Sequence, residues 1–410
     1  MTPNTLINQL LYLQEPDTLD FETIVEAIHT LPDGRLAAQL SRSYFYPTGG
    51  GQEHDTGSLG EAAVLEVFKD ETAGRILHVL DRPIPHGPAR AHIHRERRLR
   101  HMQHHTAQHL LSQCFLRLFE IDSLSANING YTPSTVDLAA DILPRQQLDA
   151  AEDLANQIIF ENRAVTSRFV TAEELRQLPM RWPPKVSENI RVVEIAGFDW
   201  SACGGTHVSA TGMIGLVKIV KTERVNDKLR VHFVAGCQAL EHYRTLYGVV
   251  NALAGQMNTH PQELPAAVAR LNDQLKAAQR ELDTLRLERL AAEAQRLAQA
   301  AEAIGSVRLV AVSLGHRSAA ELRALANEFK QMAGYVAVLA CHDGQKASLA
   351  VACAPASGCN ARELLTRLLT PLGGRGGGDA ILAQGGGAMP YQALENLLAS
   401  TAAVLEGKMP

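Results

Sequence analysis

Between residues 20 and 90 the apolar positions fall in short runs that alternate or stay continuous, broken by turn residues. The first two runs cover 23–25 and 35–40 and flank Pro32, Asp33 and Gly34, a turn signal; two more cover 63–68 and 75–80. This pattern predicts a small β-rich domain closing near Pro88. From 97 to 119 the spacing changes. Leu99, Met102, Leu110, Leu111 and Phe115 recur near the helical period and predict a helix. A second helix is predicted over 145–161, with strands over 164–170, 190–195, 215–222 and 230–235. Helices and strands mix irregularly here, so α+β suits the region better than a regular βαβ series.

Residues 264–304 differ again. Leu264, Val268, Leu271, Leu275, Ala278, Leu282 and Leu285 step by four and three, a coiled-coil seam. The phase slips and resumes at Leu290, Leu297 and Ile304. One continuous helix or a hairpin folded near 285–290 fits the pattern, and dimerisation is one way to bury the seam. After it, strands are predicted over 307–312, 335–340 and 347–352 and helices over 319–332 and 361–369. Glycine-rich stretches follow at 373–378 and 384–387. The fold class expected is α+β: a barrel-like β-rich domain over 1–93, an α+β domain over 94–246, a helical coiled-coil linker over 247–305, and a C-terminal α/β domain over 306–410.

Composition narrows this picture only a little. The chain has 410 residues, 46% hydrophobic and 20% charged, which is ordinary for a multidomain globular protein. No apolar run reaches the roughly 20 residues of a membrane span. Residues 1–13 lack a positive leader region, so a cytoplasmic location without a signal peptide is expected. A formal net charge of -5 gives no global nucleic-acid signature, although a local basic face is compatible with it. The six cysteines are scattered and are expected to be reduced thiols.

Histidine is the informative residue. His94, His101, His104, His105 and His109 crowd one segment. On a helix, His105 and His109 share a face and can reach one ion. His101 and His105 have the same spacing, so spacing alone leaves the register open. The metalloprotease pattern needs Glu after the first histidine, and Thr106 stands there instead. Cys203 and His207 form a second pair four apart, separated by Gly204, Gly205 and Thr206. Cysteine and histidine are the usual zinc ligands, and four complete a tetrahedral shell. Two such pairs favour one metal site over buried structural residues. A third motif runs from Tyr44 to Gly57, with Gly49, Gly50, Gly51 and Gln52 at its centre. No Walker loop appears, because Gly373–Gly378 is not followed by Lys-Ser or Lys-Thr.

Three of these segments, in order, resemble a known family. They are Phe45-Tyr46-Pro47 with Gly49–Gln52 and Asp55-x-Gly57; His105-Thr106-Ala107-x-His109-Leu110-Leu111; and Ser201-Ala202-Cys203-Gly204-Gly205-Thr206-His207-Val208. Together they resemble the editing half of alanyl-tRNA synthetases and the free-standing alanyl-tRNA editing proteins, the AlaX family. The C-terminal glycine-rich stretches resemble the end of the DHH-associated domain that closes the long form. The resemblance implies zinc held by His105, His109, Cys203 and His207. It also implies hydrolysis of serine, and in some members glycine, from mischarged alanine tRNA. Gln52 matches a position near the editing pocket. Ser43 takes the place of a threonine tied to selecting serine, and Asn127 stands where members often carry histidine.

Candidate tRNA contacts are Arg97, Arg98 and Arg100 before the predicted metal helix and Lys218 and Lys221 after the second metal pair; the resemblance alone adds Arg375 in the terminal glycine-rich loop. Mischarged alanine tRNA is the expected partner, with a homodimer through the coiled coil and C-terminal domain. The chain before Leu11 leaves no room for an aminoacylation domain, so a complete synthetase is not expected. The alternative is a zinc-stabilised tRNA-binding module without turnover.

Overall fold

In the computed structural model, which describes residues 10–183 and 188–407, the chain divides into two units, Met1–Gln256 and Met257–Pro410. The first unit opens with six strands: β1 (Asp20–Thr30), β2 (Leu36–Leu40), β3 (Gly57–Leu59), β4 (Ala62–Asp70), β5 (Arg75–Leu80) and β6 (Gly87–Ile93). They close into a barrel in the order β1-β2-β5-β4-β3-β6. Closure removes the free edges that a six-stranded sheet would otherwise expose. Val25, Ala38, Phe45, Leu59, Val64, Val67 and Ile93 fill its interior. The apolar runs alone suggested closure near Pro88; β6 runs on to Ile93, within the 1–93 span expected for this domain, and pairs with both β1 and β3. Its polar, proline-containing stretch carries little strand signal.

Helix α1 (Arg95–Phe119) follows directly. Next come β7 (Ser123–Asn127), β8 (Ser134–Leu138), α2 (Arg145–Phe160), β9 (Val165–Val170), α3 (Ala172–Gln177), β10 (Ile190–Ile195), β11 (Asp199–Ala202), β12 (Val217–Val225), β13 (Lys228–Ala235) and α4 (Gly236–Gln256). One antiparallel sheet has the order β12-β13-β8-β7 and another the order β11-β10-β9. Leu110, Leu111 and Phe115 of α1 join Ile158, Val193, Ile195, Val217 and Phe233 in a single core. Nearly every side chain from Arg98 to Phe115 is buried, polar ones included. Each buried polar group there needs its own partner, and those partners build the site described below.

The second unit begins with α5 (Leu264–Gln299), a single helix about 54 Å long at 1.5 Å per residue. A hairpin near 285–290 is therefore not the arrangement adopted. Val268, Leu271, Leu275, Leu282 and Leu285 of the seam are exposed. Then follow β14 (Glu302–Ile304), β15 (Val307–Ser313), α6 (Ala319–Phe329), β16 (Tyr335–His342), β17 (Lys346–Cys353), α7 (Ala361–Leu369), β18 (Arg375–Gly378), β19 (Leu382–Ala388) and α8 (Tyr391–Leu405). The sheet order is β14-β15-β16-β17-β19-β18. Helices α7 and α8 cover one face; α6 and the C-terminal end of α5 cover the other. Among the described residues no helix is long and apolar enough to cross a membrane.

Candidate metal centre

Four side chains converge inside the first unit. His105 and His109 project from the same face of α1, and Cys203 and His207 come from the loop after β11. Their ligand atoms all lie within 4.8 Å of one another. Cys203 Sγ lies 3.4 Å from His105 Nε2 and 3.4 Å from His207 Nε2. A tetrahedral zinc ion with ordinary Zn–S and Zn–N bonds separates sulfur from nitrogen by about 3.5 Å. The distances from Cys203 to His105 and to His207 therefore already match edges of such a shell.

The outer hydrogen bonds settle which ring nitrogens face inward. His105 Nδ1 lies 2.7 Å from Gln52 Oε1, His109 Nδ1 lies 3.2 Å from Asp199 Oδ2, and His207 Nδ1 lies 3.1 Å from Thr106 Oγ1. The Thr106 hydroxyl donates to Met102 O at 2.8 Å, so toward His207 it accepts. Gln52 Nε2 donates to Thr206 Oγ1 at 2.9 Å, which turns Oε1 toward His105. Each Nδ1 thus carries its proton and each Nε2 offers a lone pair to the centre. This outer arrangement is the one metal-binding histidines use. Three imidazoles turned inward beside a cysteine sulfur are the donor set of a tetrahedral zinc site, so the residues fit zinc.

Proton affinities within the cluster are shifted in both directions. Burial alone would raise the Cys203 thiol, but His105 and His207 beside it and the His105 hydrogen bond hold it well below its usual value. Burial, then His105, depress His207 to about 3, so its imidazole is neutral. For His109 burial acts downward, and the bonds to Asp199 and Cys203 outweigh it.

The backbone is shaped around this cluster. A Cβ on Gly205 would lie 2.1 Å from His105 Cε1, so only glycine lets the loop pass the ring. Gly51 has φ of +83°, and a Cβ there would lie 2.4 Å from Ala126 O. The loop between β2 and β3 therefore presses against β7 and delivers Gln52 to the outer nitrogen of His105. Arg191 is buried and spans the cysteine loop. Its Nη1 donates to Cys203 O at 2.9 Å and Gly205 O at 3.0 Å, and its Nε donates to Leu13 O at 2.8 Å.

The other candidates are placed differently. Ser43 is engaged within the barrel, 2.8 Å from His78 Nε2. Since His78 Nδ1 lies 3.2 Å from Ala38 O, the ring donates there and the Ser43 hydroxyl donates to Nε2. Asn127 ends β7 and pairs with Thr135. Arg98 corrects the sequence reading most clearly. It is 1% exposed, and its Nε and Nη2 grip Asp55, itself 0% exposed. It also donates to Tyr44 O and Pro16 O. With its donors spent inside, it has nothing to offer a phosphate. Arg97 donates to Glu53 Oε2 at 3.1 Å, and Arg100 is held by Glu96 and Glu241. Lys218 and Lys221 pair with Glu152 and Glu223. Arg375 is exposed on the edge strand β18 of the second unit.

His101 lies outside the cluster, and neither of its ring nitrogens has a hydrogen-bond partner. His104 donates through Nδ1 to Ser134 Oγ at 2.8 Å and accepts from Ala235 N at 3.3 Å. The register left open by spacing is therefore His105–His109. Sequence reasoning missed Asp199, Thr106, Thr206, Arg191 and Arg181. Arg181 Nη1 stands 3.6 Å from Asp199 Oδ1 and 3.0 Å from His109 O. The one available hint was Asp199, an acid four residues before Cys203.

Residues 190–230 match the second additional domain of threonyl and alanyl tRNA synthetases, and residues 307–407 match the DHHA1 domain. The alanine–tRNA ligase of Methanosarcina barkeri is 30% identical over 92% of this chain and 42% of its own length. That of Methanopyrus kandleri is 30% identical over 97% of this chain and 45% of its own. That of Synechococcus sp. strain JA-3-3Ab is 32% identical over 87% of this chain and 42% of its own. The chain spans less than half the length of these relatives. The solved C-Ala domain of Aquifex aeolicus alanyl-tRNA synthetase is 29% identical and covers 25% of this chain and 97% of that domain, with a TM-score of 0.23. Both domains are present and the likeness to alanine–tRNA ligases runs along most of this chain, which supports its resemblance to the AlaX-like alanyl-tRNA editing proteins.

Proposed function

We propose that this protein is a cytoplasmic aminoacyl-tRNA deacylase that hydrolyses serine, and secondarily glycine, from mischarged alanine tRNA at a zinc-organised pocket. The observation that carries the reading is the buried Cys203–His105–His109–His207 cluster, with every Nδ1 already bonded outward. The likeness to alanine–tRNA ligases supports the choice of alanine tRNA.

The bond to be broken joins the amino acid's carboxyl carbon to the terminal ribose. Such esters are labile, so positioning and modest polarisation suffice. Bound by the four side chains, zinc would supply Lewis-acid polarisation and a fixed point for orienting water. Four protein donors fill a tetrahedral shell, so its proposed role is chiefly to organise the pocket. Gln52 holds His105 in its tautomer and ties the barrel to the cysteine loop through Thr206. Asp199 does the same for His109. Ser43 is the proposed selector of serine. Its proton goes to His78, so it would meet the substrate hydroxyl as an acceptor. Lys218, Lys221, Arg97, Arg100 and Arg375 are the proposed contacts to tRNA, and α5 the proposed seam of a homodimer.

The test is metal removal and return. The chelated protein should lose serine release from serine-charged alanine tRNA, and stoichiometric zinc should restore it. A chelated protein that stays folded and equally active removes zinc from the account. A folded, zinc-loaded protein that binds the tRNA without releasing serine favours the binding module.

A further inference from the structure

The hairpin between β7 and β8 carries one aromatic side chain into solvent, Tyr131, which is 51% exposed. Its mounting is unusual for a surface loop. The Arg100 guanidinium sits 5.1 Å from the ring centroid and the Arg97 guanidinium 5.7 Å. These two arginines are three apart on α1 and reach the ring from the helix side. Both are themselves fixed and mostly covered, with side chains 16% and 7% exposed. Arg97 Nε donates to His54 O at 2.7 Å, and Arg100 Nη1 donates to Gly130 O at 3.3 Å and Glu241 Oε2 at 3.0 Å.

The loop is tied down as firmly. Asn129 Oδ1 accepts from the backbone N–H groups of Tyr131 and Thr132 at 2.8 and 3.0 Å. Asn129 Nδ2 donates to Glu53 Oε1 at 3.0 Å, and Glu53 adjoins Gln52, the partner of His105. The ring thus stands on a tied-down loop, has two cations against it, is half open to solvent, and is linked to the metal centre by one chain of bonds. Along α1, Arg100 lies about 7.5 Å and Arg97 about 12 Å from His105. In a terminal nucleotide only the ribose separates the ester from the base.

We propose that Tyr131 is the platform on which the 3′-terminal base of the tRNA stacks while its ester is presented to the metal centre. This deepens the reading as an aminoacyl-tRNA hydrolase and rests on it. Stacking on an aromatic face tolerates any base, which suits an end shared by many RNAs. Cation–π contact with the two guanidiniums holds the ring while half of its surface stays open. Arg97 and Arg100 then act on the RNA through the ring.

The experiment uses the full zinc-loaded chain and two short uncharged RNA hairpins with single-stranded 3′ ends, one intact and one lacking only the terminal base. Wild type should bind the intact hairpin about 5- to 150-fold more tightly, the range for one stacked base. Tyr131→Ala should bind both at the level of the abasic hairpin, and Tyr131→Trp should keep the preference. On serine-charged tRNA, Tyr131→Ala should raise KM with kcat little changed. An unaltered preference in Tyr131→Ala, or none in wild type, overturns the platform even if serine is released. A preference that depends on Tyr131, without serine release by wild type, upholds the platform and sinks the hydrolase reading.

Discussion

Replacing Arg98 by methionine separates a structural role from an RNA-binding one. The guanidinium and Asp55 are both buried, with Nε 3.0 Å and Nη2 2.5 Å from Asp55 Oδ2. Tyr46 N donates to the same oxygen at 2.7 Å, and Arg98 also donates to Tyr44 O and Pro16 O. One side chain of α1 therefore fastens the helix to the barrel loop and to the segment before β1. Methionine fills much of the volume but leaves the Asp55 charge buried without its cation. Breaking a buried pair from one side costs about 3–5 kcal/mol. Adding Asp55→Asn removes the stranded charge, so the double variant should recover about 1–3 kcal/mol of that loss. The two tryptophans, Trp182 and Trp200, both lie in the first unit. Urea unfolding followed by their fluorescence therefore reports on this unit alone. A loss under about 1 kcal/mol in Arg98→Met refutes the reasoning. So does weaker RNA binding with an unmoved urea midpoint, because Arg98 would then act as a surface cation.

Further outcomes follow from the same geometry. Asp199→Ala leaves the His109 Nδ1 proton without its acceptor and should weaken zinc binding about 10- to 100-fold in competition with a chromophoric chelator; affinity within twofold of wild type would discount the outer bond. Gly205→Ala drives a methyl into the His105 ring, so zinc content measured by mass spectrometry should fall well below one per chain, and a fully loaded variant would contradict the packing. Burial depresses His78 to about 4. The unfolded chain takes up this proton near pH 6.5 and the folded chain only near pH 4, so the stability involved is complete above pH 6.5 and is lost as pH falls toward 4. The gap corresponds to about 3 kcal/mol. His78→Gln should flatten the pH dependence of the urea midpoint across that window, and an unchanged slope would assign it to other groups.

The His/Cys cluster that could hold a metal was legible because its signal is local. His105 and His109 share a helix face by spacing alone, and Cys203 and His207 sit one tight loop apart. What was not legible depends on partners distant in sequence. Arg98 looks like part of a solvated basic face until the barrel loop brings Asp55 against it. Asp199, Arg181 and Arg191 are unremarkable polar residues until β10, β11 and α1 meet. The C-terminal glycines read as loops because glycine has no side chain to alternate, yet Arg375–Gly378 and Leu382–Ala388 are paired strands. A Cβ on Gly386 would lie 2.1 Å from Ala347 O of the neighbouring strand, so glycine is what lets the backbones meet. The barrel itself was visible in its alternating runs. Its closing strand was not, because β6 holds only a few buried positions.

The central claim is hydrolytic selection of the wrong amino acid. Its most direct measurement compares release of labelled serine and labelled alanine from the same alanine tRNA by the purified zinc-loaded protein, beside His109→Ala. The account predicts fast serine release, slow alanine release, and loss of both in the variant. Equal rates on the two charged tRNAs, or serine release that survives in His109→Ala, would contradict it.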